Sequence, residues 1–275
     1  MSTMKIRYDE AAASLRAVYD GTPPIAPLRD TLGTNDLAAA YTIQEINTQY
    51  WLHAGRRLIG RKVGATSAAV QQMLGFDEPD YGMLFADTAY ADGDTIPMSR
   101  LQQPKAEGEI ASYLADDLDG PDLTIADVLH AVEYAVAAIE IISSRIRDWN
   151  IKILDTIADN ASTGVFVLGT QPRTLGEFDP VLCGMVLEKN GIPSSIGAGV
   201  ACLGNPLTAT LWLARKMLDV GRPLKKGDLV LSGALGPLVT ITSGDRLDLH
   251  ITGFGRVRAQ FSDSDVDSGQ REKTS

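Results

Sequence analysis

The sequence predicts an α+β protein, with a small N-terminal helical lobe followed by a β-rich domain of mixed sheets with flanking helices. Three observations carry this prediction. Helical spacing covers residues 8–19 and 35–53 with no strand-like run between them. From Leu58 onward, short apolar runs bracketed by glycine take over. From Gly227, four such runs follow one another with only Gly-containing turns between them. The 275 residues suit one large domain with a small appendage. The expected division is a lobe over 1–57, a domain over 58–261 and a polar, aperiodic tail over 262–275 that reads as disordered.

The first helix, 8–19, is stopped by Gly21 and Pro23-Pro24. The second starts near Asn35 or Asp36 and runs to His53, with Leu37, Tyr41, Ile46 and Tyr50 on its expected buried face. A strand follows over 58–64. Thr66 or Ser67 caps a short helix that Gly75 closes. Residues 79–82 read as a turn or loop, 84–90 as a strand and 92–94 as a turn. After the strand that begins near Pro104, Thr124 and Asp127 have capping-box spacing and open a helix. Residues 136–145 read as a buried strand and 155–164 as a small polar loop. Asn205-Pro206 is a helix start, with Leu207, Leu211, Ala214 and Leu218 as its buried stripe. Strands are then expected at 229–232, 238–242, 246–252 and 256–261.

Hydrophobic residues make up 44% and charged residues 22%, enough for a sizeable core. The net charge is -10, which leaves no basic surplus for nucleic acid but does not oppose a small anionic ligand. No run approaches a membrane span, and residues 1–8 hold no apolar signal core, so a cytoplasmic location is expected. Cys183 and Cys202 lack metal-type spacing and read as core thiols. His53, His130 and His250 form no ligand pattern and read as structural or surface groups. Walker, dinucleotide-binding and nucleophile-elbow motifs are absent.

The informative stretch is Pro104-Lys105-Ala106-Glu107-Gly108-Glu109-Ile110-Ala111. On a strand, Glu107 and Glu109 project from one face. Two such charges about 4 Å apart repel by roughly 4 kcal/mol at an effective dielectric near 20. A hard divalent cation relieves this, because its preferred ligands are carboxylate oxygens. A solvated edge strand accommodates the same pair. Glu140 tips the balance: it is a lone acid in the apolar run VAAIEIISSR, costly to bury without a partner. Lys62 and Arg61 lie on the glycine-rich strand ahead of these acids. A surface pair and a buried lysine tuned as a base or kept charged for an anion both fit them.

Seven segments taken together carry a family resemblance: GRKVGATS at 60–67, EPDYGMLFAD at 78–87, QPKAEGEIA at 103–111, AIEIISSRIRDW at 138–149, DTIADNAS at 155–162, CLGNPL at 202–207 and SGALGPLV at 232–239. The chain resembles the 2-keto-4-pentenoate hydratase (2-hydroxypenta-2,4-dienoate hydratase) family, within the fumarylacetoacetate hydrolase superfamily. The resemblance implies a fumarylacetoacetate-hydrolase-like domain in which Glu107, Glu109 and Glu140 bind Mg2+ or Mn2+. It implies that Lys62 and Asp80 take part in proton transfer and that Ser162 lies near the substrate. The implied activity is hydration of 2-hydroxypenta-2,4-dienoate to 4-hydroxy-2-oxopentanoate in meta-cleavage degradation of aromatic compounds. The implied partners are a small anionic 2-keto or dienol acid, further copies of the chain in a pentamer-based homo-oligomer and, as an option, the downstream pathway aldolase. One departure stands out: Gly108 occupies a position where the family usually has a side chain.

Other family chemistries are 4-oxalocrotonate decarboxylation and hydration of 2-oxohept-4-ene-1,7-dioate. The SGALGPLV segment, apolar and without Arg or Lys, favours the monoacid hydratase over both. The intact acids and Lys62 disfavour a non-catalytic keto-acid-binding member. Hydrolysis of an acylpyruvate would call for a histidine between Gly60 and Glu109, and none is there.

Overall fold

The computed structural model describes residues 2–33 and 36–262. The expected tail therefore lies outside the described residues beyond Ser262, as does Asn35. The chain opens with helices α1 (Ser2–Tyr19), α2 (Leu28–Leu32) and α3 (Leu37–His53). Five residues of α2 hold too little periodicity to be foreseen. Asp36 caps α3, its Oδ1 accepting from Ala38 N at 2.9 Å.

The buried face of α3 is not the one its apolar spacing predicts. Tyr50 is 55% exposed, while Leu37, Tyr41 and Ile46 are half-buried. The buried side is Ala40, Ile43, Gln44, Asn47, Thr48 and Trp51. Three of these are polar, which defeats a hydropathy count, and each is satisfied. Gln44 Nε2 donates to Tyr81 O (2.8 Å) and Ile157 O (3.0 Å), Thr48 Oγ1 donates to Gln44 O (2.9 Å), and Arg16 donates to Asn47 Oδ1. Gln44 thereby ties the helical segment to the β-rich part. Gln44→Ala strips the donor from two buried carbonyls and is expected to cost about 1–3 kcal/mol in a urea titration. Thr42→Ala, on the exposed side of α3, is the control, with a change within about 0.5 kcal/mol.

Thirteen strands form among the described residues. They are β1 (Leu58–Gly64), β2 (Asp80–Phe85), β3 (Ala89–Ala91), β4 (Thr95–Ile96), β5 (Lys105–Leu114), β6 (Val132–Ile142), β7 (Thr163–Leu168), β8 (Gly184–Lys189), β9 (Ile192–Ala198), β10 (Leu229–Leu231), β11 (Val239–Thr240), β12 (Arg246–Ile251) and β13 (Gly255–Phe261). The intervening helices are α4 (Ala68–Leu74), α5 (Ile125–Ala131), α6 (Ile153–Ala158) and α7 (Pro206–Asp219). An eight-stranded sheet runs β2-β1-β10-β5-β6-β7-β3, with β11 also paired to β5; a five-stranded sheet runs β4-β13-β12-β8-β9. Both are mixed: β1 with β10, β3 with β7 and β13 with β4 are parallel, and the other pairs are antiparallel.

The two sheets share one apolar layer. Ile110, Ile139 and Val167 of the larger meet Met185, Leu249 and Val257 of the smaller. Gly108 faces this layer, away from Glu107 and Glu109. A Cβ there would lie 2.5 Å from Met185 Sδ and 2.6 Å from Leu249 Cδ1, so the glycine lets the second sheet close on β5. A second apolar cluster joins Val128 of α5 and Leu213 and Met217 of α7 to Val63, Met83 and Leu114 of the larger sheet. A third joins Leu15, Ile43 and Leu154, from α1, α3 and α6.

Several expectations need correction. Residues 80–82 are buried strand, not turn, because β2 pairs along β1 from Gly64↔Asp80 onward. The 84–90 strand breaks after Phe85 into a 3-10 turn (Ala86–Thr88) before β3. The polar loop at 155–164 is α6 and a second 3-10 turn (Asn160–Ser162), wholly buried. On α7, Leu207 and Ala214 are buried as expected, but Leu211 and Leu218 are only half-buried and Leu213 and Met217 take their place. β8 and β9 escape notice because β9, rich in Ser, Pro and Gly, is an edge strand where proline is tolerated. Both cysteines are buried free thiols. Among the described residues no helix is long and apolar enough to cross a membrane.

Candidate active site

The antiparallel pairing of β5 and β6 sets Glu107 directly opposite Glu140, and Glu109 follows two residues on from the same face. Two neighbouring strands thus bring the three acids together. One carboxylate oxygen from each lies within 4.8 Å of the others. Glu109 and Glu140 are fully buried and Glu107 is 9% exposed. Burial pushes the Glu107 carboxyl up to about 7, reinforced by Glu140 and opposed by Lys62. Burial, then Glu140 and Glu107, push Glu109 well above the carboxylate range. Glu109 Oε2 accepts from Gly233 N at 2.8 Å. Glu109 Oε1 and both Glu140 oxygens receive no hydrogen bond. Buried carboxylate oxygens left without donors are costly. Three of them converging, in an all-oxygen donor set, suit a hard divalent cation.

Lys62 reaches this cluster from β1, its Nζ 3.4 Å from Glu140 Oε1. β1 and β6 are not neighbours, so the large sheet must curl. Asn160 fastens the curl: its Oδ1 accepts from Met83 N (2.7 Å) and its Nδ2 donates to Met83 O (3.0 Å), linking β2 to the turn that leads into β7. Burial opposes charge on Lys62, but Glu140, Asp80, Glu107 and Glu109 outweigh it and raise its pKa. Without metal, the surrounding carboxyls therefore favour its ammonium form. Arg61 is buried as well and pairs instead with Asp228 at 3.2 Å. Asp80 is buried beside Lys62. Burial raises its pKa, against the charge of Lys62 and a hydrogen bond with Thr156. Gly64 makes room for it, since a Cβ there would sit 2.2 Å from Asp80 Oδ1.

Ser162 ends a run of three left-handed residues, Asn160, Ala161 and Ser162, at φ 54°, 51° and 53°. Each costs about 1–2 kcal/mol for a residue with a side chain. Ser162 N donates to Asp159 O and Ser143 N to Ser162 O (3.0 and 2.8 Å), and Arg145 spans the run by donating to Asp159 O and Thr163 O (2.8 and 2.9 Å). Strain held this firmly marks functional sites. Asn160→Ala removes both bonds to Met83 and is expected to cost about 2–4 kcal/mol in chemical denaturation. A loss of turnover is expected alongside it, since the same side chain fixes the curl that brings Lys62 to Glu140.

Lys62, Asp80, Glu107 and Ser162 all line one cavity of about 560 Å³, and Glu109 and Glu140 adjoin it through Glu107. Apolar side chains line much of the rest: Val70, Met73, Leu74, Ile151 and Leu238. Sequence reasoning passed over three lining residues, Thr156, Lys105 and Trp149. Thr156 Oγ1 lies 3.4 Å from Ser162 Oγ. Period-two spacing back from Glu107 was the available signal for Lys105; nothing local marked the other two. The histidines are all exposed and none lines the cavity.

Residues 58–262 match the fumarylacetoacetate (FAA) hydrolase C-terminal family. The chain belongs to that family. This fumarylacetoacetate hydrolase family chain is 57% identical to the TodF product hydratase of Pseudomonas putida, over 86% of this chain and 89% of that one. It is 52% identical to the 2-keto-4-pentenoate hydratase of Paraburkholderia xenovorans, over 94% and 96%. Its fold matches that of 4-oxalocrotonate decarboxylase from P. putida, solved with magnesium and adipate, at a TM-score of 0.87 and 29% identity over 92% and 97% of the two chains.

Proposed function

We propose that this family member is a divalent-metal-dependent hydro-lyase that adds water to 2-hydroxypenta-2,4-dienoate, giving 4-hydroxy-2-oxopentanoate. The observation that carries this reading is the set of three buried glutamates, two of them with oxygens that receive no hydrogen bond, beside a largely apolar cavity lined by Glu107, Lys62 and Asp80. The hydratase names of relatives 52–57% identical over most of the chain support it.

Glu107, Glu109 and Glu140 would hold Mg2+ or Mn2+, which when bound supplies Lewis acidity toward the oxygens of the acid. Lys62 would present positive charge and a proton where charge develops on the C2 oxygen. Asp80, buried with a raised pKa, suits the carrier that takes the enol proton and returns one at C5. The resulting enone is electrophilic at C4, where water adds. Ser162 and Thr156 are placed to orient that water or a substrate oxygen. The apolar wall shelters C3 to C5.

The test is loss of dienol absorbance from freshly generated 2-hydroxypenta-2,4-dienoate, with Mg2+, with Mn2+ and with chelator, and identification of the product by mass. Metal-dependent turnover is expected. CO2 release from 4-oxalocrotonate without hydration would move the chain to the decarboxylase reading. No turnover of either acid would favour a non-catalytic binder.

A homo-oligomer belongs to the same reading. Leu182, Ile192, Ile196 and Val200 stand 54–74% exposed on or near edge strand β9, an apolar set that a second copy would cover. The pentamer-based size and an aldolase partner rest on the family resemblance alone.

A further inference from the structure

Thr156 uses its hydroxyl unlike three other helical threonines of this chain. Thr42 and Thr48 of α3 and Thr210 of α7 donate Oγ1 to the carbonyl four residues back, at 2.7, 2.9 and 3.2 Å. On α6 the equivalent carbonyl belongs to Lys152, which accepts from Thr156 N at 3.1 Å. Thr156 Oγ1 turns instead to two side chains. It hydrogen-bonds Asp80 and lies 3.4 Å from Ser162 Oγ. All three residues are buried and line the glutamate cavity. Each is also pinned. Asp80 pairs in register with Gly64, where a Cβ would sit 2.2 Å from Asp80 Oδ1. Next to Thr156, Asp155 anchors α6 by accepting from Arg29 N and Lys152 N (3.1 and 2.9 Å). Ser162 is locked in the left-handed region at φ 53°.

Counting protons fixes the polarity of this chain of three. A hydroxyl carries one proton to donate, and an ionised carboxylate only accepts. With Asp80 ionised, Thr156 donates to Asp80 and has no proton left for Ser162. Ser162 then donates to Thr156, and its Oγ keeps only lone pairs for the cavity. It accepts from whatever O–H lies there. With Asp80 protonated, every bond reverses and Ser162 presents a proton instead. The protonation state of a carboxylate that cannot move is thus expressed two hydrogen bonds away. The Thr156–Ser162 separation is long for an O–H···O bond, of the kind that tightens when reactants bind.

We propose that Thr156 is a positioning residue that joins Asp80 to Ser162 as a hydroxyl relay for the water-addition step, an inference that rests on the hydratase reading. Water held by Ser162 gives up a proton as its oxygen bonds to C4. The Ser162 proton passes to Thr156 and the Thr156 proton to ionised Asp80, while Ser162 takes the proton of the water. The C3–C4 π pair shifts to C2–C3 and the carbonyl pair to the C2 oxygen, giving an enolate. Asp80 then returns its proton through the reversed chain. C3 takes that proton, and the C2 carbonyl is restored. Atoms and charge balance with no further reactant. One pinned carboxylate thereby serves both stages: directly at the enol and C5, and through Thr156 at C4 and C3.

The experiment follows freshly generated 2-hydroxypenta-2,4-dienoate in single turnover, with the full chain in excess in Mg2+. Loss of dienol absorbance reads the first stage, and rapid-quench mass analysis of 4-hydroxy-2-oxopentanoate reads hydration. Thr156→Val is expected to slow hydration about 10²-fold, the low end of the worth of a general base, while dienol loss changes less than about threefold. Thr156→Ser keeps the hydroxyl and should stay within about threefold of wild type at both stages. Ser162→Ala should show the same stage-selective loss, and the double variant no further loss, because residues that act as one unit are not additive. Equal slowing of both stages in Thr156→Val overturns the relay and leaves Thr156 a structural group. Wild-type hydration in Thr156→Val, a Thr156→Ser variant as slow as Thr156→Val, or additive losses in the double variant also overturn it. Thermal unfolding shows that each variant folds. Should Thr156→Val not fold, Ser162→Ala carries the test, and equal slowing of both stages there overturns the relay. A wild-type chain that consumes no dienol overturns the hydratase reading and the relay with it.

Discussion

Glu109→Gln is expected to abolish the response of this protein to divalent metal while leaving the metal-free fold at least as stable as wild type. The amide keeps an oxygen to accept from Gly233 N, the 2.8 Å bond made by Glu109 Oε2. It also brings an N–H2 toward Glu107 and Glu140, whose oxygens lie within 4.8 Å. One negative charge leaves a cluster in which each close pair repels by roughly 4 kcal/mol at a dielectric near 20. The gain is smaller than that, on the order of 1 kcal/mol, because burial already favours the protonated carboxyl. Turnover is expected to fall about 10³-fold, as loss of a Lewis acid worth several kcal/mol implies. Thermal unfolding in millimolar Mg2+ and in chelator gives the first readout. A variant that keeps the wild-type Mg2+-induced rise in Tm would remove Glu109 from the metal set.

The cluster also fixes the sign of a pH dependence. Burial, and then Glu140, raise Glu107 from 4.5 to about 7. Between those values the folded chain holds a proton that the unfolded chain has released, so metal-free stability falls as pH rises through the window. The penalty is absent below it and complete above it. Metal binding must displace the proton, so the Mg2+-induced rise in Tm is expected to be small at pH 5.5 and to grow toward pH 8. Asp159, raised to about 6 by burial against the pull of Arg145, contributes with the same sign. It lies outside the glutamate cluster and cancels in the difference between Mg2+ and chelator. A metal-induced shift that is flat with pH would argue against a protonated cluster.

The strands that bring the acids together were readable because their signals are local. Period-two spacing aligns Glu107 with Glu109, and a lone Glu140 in an apolar run must find a partner. Burial decided by distant polar bonds was not readable. Gln44 looks like a surface residue until Tyr81 and Ile157 supply its carbonyls. Asp155 looks like part of a loop until Arg29 N and Lys152 N donate to it (3.1 and 2.9 Å) and bury α6. The meeting of Lys62 with Glu140 depends on sheet curvature, fastened by a bond between residues 77 positions apart. No window of local sequence contains that information. The resemblance placed Lys62, Asp80 and Ser162 near one another in chemistry; the curl brings them to one cavity in space.

Lys62→Met is expected to lower kcat by about 10²–10⁴-fold, the usual worth of a positioned proton-transfer group, with the Mg2+ affinity changed far less. The sequence left Lys62 open as either a base or a charged group. A buried lysine loses its proton when burial dominates, but here four carboxylates outweigh burial and hold the ammonium. Without metal it is a donor and an electrostatic partner, not a base. Methionine fills most of the same volume, so packing is largely retained. The change in charge reaches both neighbours, since Lys62 lowers the pKa of Asp80 and of Glu107. Removing it lets both rise. Catalysis that needs ionised Asp80 should then begin at higher pH, moving the acid limb of the kcat profile upward. Much of the cost of an unpaired buried charge is avoided, because Asp80 and the glutamates take up protons instead. Wild-type kcat in Lys62→Met would end its part in proton handling. A loss that appears only in Mg2+ affinity would make Lys62 a counter-charge to the glutamates and leave Asp80 to work alone.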